Sequence, residues 1–185
     1  MVSVPAVAVR EARIEQTEEG AVVASTGWFV LNVADAAWTR NERGGEWSNL
    51  EPEDAEFEQY GIGIHVVQPG QPNGLYHAEN MQEDFLVLSG ECVLVVEEEE
   101  RRLKAWDFVH CPPGTHHIFI GAGDGPCAIL MVGARGEGKK LHYPPSEVAA
   151  RHGASAPEET DSPREAYREW PREYTPVRAT WPLQH

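Results

Sequence analysis

The hydrophobic and polar positions between residues 60 and 134 form short apolar runs that end in turns rich in glycine and proline. None of these runs has a helical period, and each has the length of a strand. About seven short strands separated by such turns are typical of an all-β sandwich or barrel. The clearest runs are residues 61–67, 84–89, 91–96, 106–110, 116–120 and 127–132.

Residues 1–59 are more weakly patterned than this central region. Apolar runs predict strands near residues 21–25 and 28–33. Residues 35–58 are polar and contain paired glycines, so we interpret them as an excursion of turns with room for one short strand. We expect this whole N-terminal part to pack on the barrel.

Residues 135–185 form a C-terminal extension with a different pattern. A serine N-cap and an acidic first turn predict a short helix over residues 146–152. The same signals, with a proline at the first helical position, predict a second short helix over residues 162–169. Residues 171–185 are rich in proline, and we expect them to run extended over the barrel surface.

The composition excludes several classes of protein. With 30 acidic and 15 basic residues, the formal net charge of −15 argues against binding to nucleic acid. No apolar run is long enough to span a membrane, and the N-terminus lacks the pattern of a secretory signal. Cys92, Cys111 and Cys127 are an odd number without a CxxC pair, which predicts free thiols and a cytoplasmic location.

Candidate metal-ligating side chains are concentrated between His77 and Glu83. Residues two apart in a strand share a face, so His77 and Glu79 are expected to point the same way. Glu83 begins an otherwise apolar strand, where an unpaired buried charge is costly. A divalent cation is one partner that would stabilise it, and imidazole with carboxylate is a ligand set for several such ions.

A further candidate follows the turn at residues 111–114, where His116 and His117 begin another strand. Adjacent strand residues face opposite sides, so only one of the two histidines points into the barrel. His65 and His110 also lie in predicted strands. A single strand histidine is more often a core or surface residue than a ligand, so we leave both out of the metal set.

Together, these motifs resemble the two conserved motifs of the cupin family, G-x5-H-x-H-x3-or-4-E-x6-G and G-D-x4-P-x-G-x2-H-x3-N. The first stretch here reads Gly70-x6-His77-x-Glu79-x3-Glu83-x6-Gly90. The second reads Trp106-Asp107-x4-Pro112-x-Gly114-x2-His117, with Gly121 at the usual asparagine position. The resemblance covers about residues 60–134. It implies a double-stranded β-helix, or jelly-roll barrel, with a metal held by His77, Glu79, Glu83 and His117 while His116 faces away.

The main departure from the family pattern is Glu79, which occupies the place of the second histidine. Two histidines and two carboxylates would neutralise a divalent ion and favour manganese or iron, although zinc remains a candidate on affinity and nickel also fits. Alternatively, Glu79 stays off the metal and acts as a general base. A third interpretation is a polar cluster without any metal.

The resemblance implies a metal-dependent enzyme that acts on a small molecule in the barrel, of the oxygenase or isomerase type. The alternative is a non-catalytic cupin that binds a small ligand as a sensor, with a structural metal. Aromatic residues outside the motifs, such as Trp28 and Trp170, would serve a homodimer or pack the terminal segments on their own barrel. Trp106 is expected to be a surface or interface residue, and we assign no role to Lys139 and Lys140.

Overall fold

The computed structural model describes residues 8–52 and 55–180. In these ranges most of the regular structure is β-strand, and all pairings between the strands named below are antiparallel, so the all-β prediction is confirmed. The strands are β1 (Ile14–Gln16), β2 (Ala21–Val23), β3 (Ala37–Asn41), β4 (Gly45–Ser48), β5 (Tyr60–Val67), β6 (Ala78–Glu79), β7 (Glu83–Ser89), β8 (Glu91–Val96), β9 (Glu99–Lys104), β10 (Phe108–Cys111), β11 (His117–Ala122), β12 (Cys127–Ala134), β13 (Leu141–His142) and β14 (Thr175–Arg178).

Two larger sheets face each other and enclose the main core. One has seven strands in the order β10-β7-β12-β5-β4-β3-β14, and the other has three in the order β11-β8-β9. A single buried cluster takes side chains from both sheets, including Phe85 and Ile129 from the first and Leu94 and Phe119 from the second. Two sheets around one core are the arrangement that the predicted double-stranded β-helix requires.

Alternation along the strands decides which side chains enter this core. In β7, Phe85 and Val87 are buried in the cluster, while Leu88 packs on the opposite face of the sheet. That opposite face has its own core, formed around the fully buried Trp38 of β3 and Ile64 of β5. The large sheet is therefore covered on both faces.

The N-terminal part differs from the sequence prediction at two places. The strand expected at residues 28–33 is absent, since only Trp28 makes a bridge, to Glu11, and Val30 is 84% exposed. The excursion predicted over residues 35–58 instead contains the β3–β4 hairpin, which joins the main sheet through β5. The two strands contain charged residues, among them Arg40 and Glu46, which form an ion pair. The sequence of the hairpin is therefore polar, and no apolar run indicated its strands.

Both predicted C-terminal helices are present but shorter than expected. They are α1 (Glu147–Ala150), capped by Ser146, and α2 (Pro163–Ala166), capped by Ser162. The segment after α2 does more than run over the surface, because β14 pairs with β3 at the edge of the large sheet. Within the described ranges, no helix is long and apolar enough to cross a bilayer. The predictions for the chain ends fall partly on residues 1–7 and 181–185, outside the described residues.

Candidate metal centre

His77 and His117 lie directly opposite each other on neighbouring antiparallel segments. The His117 N–H donates to the His77 carbonyl oxygen at 2.9 Å, and the His77 N–H donates to the His117 oxygen at 3.3 Å. Side chains of residues paired in this way project from the same face. The two imidazole rings accordingly lie with their centroids 5.2 Å apart.

Each imidazole is oriented by a backbone carbonyl two residues before it. His77 Nδ1 lies 2.8 Å from the Leu75 oxygen, and His117 Nδ1 lies 3.0 Å from the Thr115 oxygen. Because a carbonyl oxygen only accepts hydrogen bonds, both Nδ1 atoms must carry the proton. The lone pair of each ring is therefore on Nε2, which is how histidine ligands are commonly prepared for a metal.

Glu83 brings a carboxylate to the same place from the start of β7. Its Oε2 lies 3.6 Å from His117 Nε2, which is too long for a hydrogen bond. One ligand atom from each of His77, Glu83 and His117 lies within 4.8 Å of the others. The pattern in β7 is as predicted, because Glu83 shares its face with the buried Phe85, whose ring centroid is 5.1 Å from that of His117.

Glu79, the fourth predicted ligand, is near the cluster but does not belong to it. Its side chain is 7% exposed, and its Oε2 lies 2.6 Å from Lys139 Nζ. This contact has the distance of an ion pair without the angles of a hydrogen bond. Lys139 lies far along the chain, and the sequence offered no signal for this pairing beyond the two adjacent lysines.

Asn80 holds the loop that carries Lys139. Its side-chain oxygen accepts a hydrogen bond from the Lys140 N–H at 2.7 Å, and its side-chain nitrogen donates to the Gly138 carbonyl at 2.9 Å. The Asn80 N–H also donates to the Lys140 oxygen at 3.1 Å. The ammonium of Lys139 is therefore placed beside Glu79 by a well-bonded loop.

The other predicted histidines are where alternation puts them. His116 points away from the cluster and stacks on Tyr76 at 5.7 Å between ring centroids. His110 is half exposed and pairs with Asp84 at 2.7 Å. His65 lies on the large sheet, opposite Trp47. In the described residues, none of these three joins the His77, Glu83 and His117 cluster.

The electrostatics of the cluster suit a cation. Burial, and secondarily the neighbouring His77, lowers the pKa of His117 to about 4, and burial likewise lowers the pKa of His77. Burial raises the pKa of Glu83 to about 7, and Glu79 adds to this rise while Lys139 opposes it. Two neutral imidazoles beside a carboxylate that lacks a counter-charge form a donor set that fits a divalent transition-metal ion.

The comparisons with known proteins point to one family for the central region of the chain. Residues 63–133 match the family model of the cupin domain. This match supports assignment of residues 63–133 to the cupin superfamily. The match contains all four predicted site residues. A comparison with curated proteins gave no match.

Solved structures with a similar fold include several cupins. A sugar phosphate isomerase from Silicibacter pomeroyi is 28% identical, with a TM-score of 0.47, over 53% of this chain and 65% of that chain, just under two thirds of its length. A polyketide cyclase from Streptomyces resistomycificus is 16% identical, with a TM-score of 0.50, over 58% and 79% of the two chains. A predicted oxalate decarboxylase from Thermotoga maritima is 20% identical, with a TM-score of 0.50, over 57% and 98%. The last two likenesses support the barrel fold alone.

The cupin barrel also has a cavity of about 450 Å³ on the inner face of the large sheet. Its walls come largely from the N-terminal hairpin and the C-terminal segment, which the family motifs do not cover. Sequence reasoning missed it, and the only available signal was the presence of aromatic residues in otherwise polar segments. The lining includes Trp47, His65, Met131, Tyr167, Trp170 and Tyr174.

The cavity and the candidate metal centre are neighbours on that face. Gly61 lines the cavity and pairs with Gly133 of β12, and Gly133 pairs with Glu83 of β7. A Cβ atom on Gly133 would lie 3.7 Å from Glu83 Oε1, so the Glu83 carboxylate leans over β12. Adjacent strands lie about 5 Å apart, so this carboxylate is about one strand from the cavity floor.

The three cysteines are buried and free, as predicted. Cys111 is the nearest to the cluster, since it pairs with Glu83 across β10 and β7. Burial, with a smaller effect from Glu83, raises the pKa of Cys111 to about 12. Its thiol therefore stays protonated and offers neither a thiolate ligand nor a nucleophile.

Proposed function

We propose that this cupin is a metal-dependent enzyme that acts on a small molecule, with one divalent metal ion held by His77, Glu83 and His117. The observation that carries the proposal is the shared orientation of the two imidazoles. Both use Nδ1 on a backbone carbonyl, which leaves both Nε2 atoms for a metal beside Glu83. The adjacent cavity provides a place for the substrate.

The donor set favours one metal ion over the other candidates. Two histidines and one carboxylate are the ligand set of non-haem iron(II) oxygenases, which favours iron and the oxygenase branch of the prediction. When bound, iron would supply oxidation by dioxygen, whereas zinc would supply Lewis-acid polarisation for isomerisation or hydrolysis. Manganese and nickel also fit this set.

We assign Glu79 to the handling of protons rather than to the metal. The negative charge of Glu79 is already compensated by the ammonium group of Lys139, so this carboxylate does not need a metal ion as its partner. A carboxylate at the edge of the cluster can take or return a proton of a bound substrate. Phe85 and Phe119, packed against His117, keep water from the inner side of the site. The chain's residues therefore divide the tasks of binding, proton transfer and exclusion of water.

The first test is metal content. Protein purified without added metal and without a nickel column should contain about one equivalent of iron, zinc, manganese or nickel by mass spectrometry. Glu83→Gln and His117→Gln should each weaken the affinity for the metal by about tenfold or more, and the purified variants should therefore contain much less metal. His110→Gln is the matched control, because His110 is half exposed and paired with Asp84. Equal metal content in all these proteins would refute the proposed site.

Metal content also tests the role of Glu79. Glu79→Gln should retain the metal if Glu79 handles protons, and should lose it if Glu79 is a fourth ligand.

A non-catalytic sensor would bind metal and ligand without turnover. An enzyme with iron would consume dioxygen when a substrate is present, and a sensor would not. A cytoplasmic location and a homodimer remain predictions, and size-exclusion chromatography with light scattering tests the second.

A further inference from the structure

The structure assigns a positioning role to Tyr167, a residue of the C-terminal extension that lies outside the matched cupin domain. Tyr167 holds the backbone of Leu75, and the carbonyl group of Leu75 orients the imidazole of His77. This role rests on the proposed function, in which His77 is a metal ligand. It makes the C-terminal extension a part of the candidate metal centre.

The backbone directly before His77 is bonded to the C-terminal extension. Residues 74–76 lie between two contacts with β11, and in this interval two N–H groups turn to the extension instead. The Leu75 N–H donates to the Tyr167 hydroxyl oxygen at 3.0 Å, and the Tyr76 N–H donates to the Ala154 carbonyl oxygen at 2.7 Å. Buried N–H groups need such partners, so the extension stabilises the path of the chain into the metal site.

The side chain of Leu75 is anchored in the same extension. It is buried in a cluster with Tyr143, Ala156 and Ala166, which all belong to the extension, and Tyr167 packs against this cluster. Leu75 is therefore held both by its side chain and by its N–H group. Its carbonyl group has little freedom to turn as a result.

The carbonyl group of Leu75 determines how His77 is oriented. His77 Nδ1 lies 2.8 Å from the Leu75 oxygen, and the His77 ring stacks on the ring of Tyr143 at 5.4 Å between centroids. A hydrogen bond at Nδ1 fixes the tautomer of a ligating histidine and the direction of its Nε2 lone pair. The connection from the Tyr167 hydroxyl to His77 Nδ1 thus passes through one residue, Leu75.

The other imidazole of the site is held from within the barrel. His117 Nδ1 bonds to the Thr115 carbonyl oxygen, and the Thr115 N–H in turn donates to the Pro112 oxygen at 3.1 Å. Both residues belong to the turn before β11, which lies inside the matched domain. Loss of the Tyr167 hydroxyl should therefore disturb His77 and leave His117 in place.

Gly74 leaves the room that the Tyr167 hydroxyl needs. A Cβ atom on Gly74 would lie 2.8 Å from the Tyr167 hydroxyl oxygen, which is closer than Cβ atoms approach other heavy atoms in proteins. Gly74→Ala should therefore push this hydroxyl away from the Leu75 N–H. It offers a second way to break the contact, without any change to Tyr167 itself.

Zinc affinity tests this role, measured on the full-length protein by competition with chelating indicators. Tyr167→Phe keeps the ring and removes only the hydroxyl group, and it should weaken zinc binding about tenfold, as loss of a partner that orients a histidine ligand does. Gly74→Ala should have a similar effect. Tyr60→Phe and Gly125→Ala are the matched controls, because Tyr60 is half exposed and a Cβ atom on Gly125 has open space. Unchanged zinc affinity in Tyr167→Phe would overturn the role.

Double variants separate positioning from a general loss of stability. In His77→Ala no imidazole is left for Leu75 to orient, so the addition of Tyr167→Phe should not lower the remaining zinc affinity further. In His117→Ala, the addition of Tyr167→Phe should still weaken zinc binding about tenfold. A merely structural effect would be equal in the two backgrounds, and that result would overturn the role of Tyr167.

The metal-free protein gives a readout that does not depend on zinc. In proton–nitrogen NMR correlation spectra at neutral pH, the His77 ring of the wild type should carry its proton on Nδ1, as its contact with Leu75 requires. Tyr167→Phe should introduce a population with the proton on Nε2, while the signals of His117 stay unchanged. A His77 ring with the same tautomer in both proteins would contradict its positioning by Tyr167.

The same variants distinguish a failure of this role from a failure of the proposed function. If His77→Ala and His117→Ala bind zinc as tightly as the wild type, the proposed metal site is wrong, and the NMR measurement alone decides whether Tyr167 positions the His77 ring. If both variants lose zinc while Tyr167→Phe binds it normally, the metal site stands and the role of Tyr167 is wrong.

Discussion

Replacing Glu83 by glutamine should stabilise the metal-free protein at alkaline pH. Burial, then Glu79, raises the pKa of Glu83 from its ordinary 4.5 to about 7, with Lys139 opposing the rise. The side chain is only 14% exposed, so solvent screens this effect weakly. At about 1.4 kcal/mol per pH unit between the two values, the ionised carboxylate destabilises the fold by about 3 kcal/mol.

The sign of the pH dependence follows from proton binding. Below pH 4.5, Glu83 is protonated in both the folded and the unfolded chain and has no effect. As the pH rises toward 7, the unfolded chain loses this proton first, so the free energy of unfolding falls. Above pH 7, the full cost of about 3 kcal/mol is present. Glutamine imitates the protonated carboxyl group, and its advantage over glutamate should grow from about 1 kcal/mol at pH 5 to about 3 kcal/mol at pH 8.

Urea denaturation of EDTA-treated protein at pH 5 and pH 8 measures this difference directly. Glu58→Gln is the matched control, because Glu58 is exposed and should show no such change between the two pH values. Added divalent metal should reverse the order, because only glutamate can neutralise the ion. If Glu83→Gln is no more stable than the wild type at pH 8 without metal, the carboxylate is not the uncompensated charge that we describe.

Three further changes test other parts of the structure. Lys139→Met should destabilise the metal-free protein by about 2 kcal/mol, because it leaves Glu79 buried without its partner, and divalent metal should recover part of this loss in urea denaturation. Gly121→Ala should destabilise the fold by about 3 kcal/mol and so lower the melting temperature, because the new Cβ atom would overlap a neighbouring backbone carbonyl. Gly125→Ala is its control and should be neutral, because a Cβ atom there has open space. Ser146→Ala should cost about 1 kcal/mol by thermal denaturation, because it removes the N-cap of α1.

Much of the candidate site could be predicted because its determinants are local. The alternation of side chains in a strand places Glu83 with Phe85, and it allows only one of His116 and His117 to face inward. The structure agrees with both expectations. The backbone pairing of His77 with His117 then brings two distant motifs together, as the family resemblance implied.

Glu79 shows where local reasoning stops. Its spacing from His77 predicted a ligand on the same face, but its nearest charged partner is Lys139, which a different loop brings to the site. The hydrogen bonds by which Asn80 holds that loop join distant parts of the chain, so no periodicity in the sequence indicates them. Charge alone did not distinguish Lys139 from a solvated surface lysine.

The sequence by itself determined the all-β class, most of the central strands although not the charged β9, the capped helices and, through the family resemblance, three residues of the candidate metal centre. These features depend on alternation, turn chemistry and capping, which act over a few residues. Only the tertiary structure decided that residues 28–33 are not a strand, that Trp47 and Trp170 border one cavity, and that Glu79 pairs with Lys139. The physical reason is that pairing and burial depend on partners distant in sequence, and a residue's own neighbours in the chain do not specify those partners.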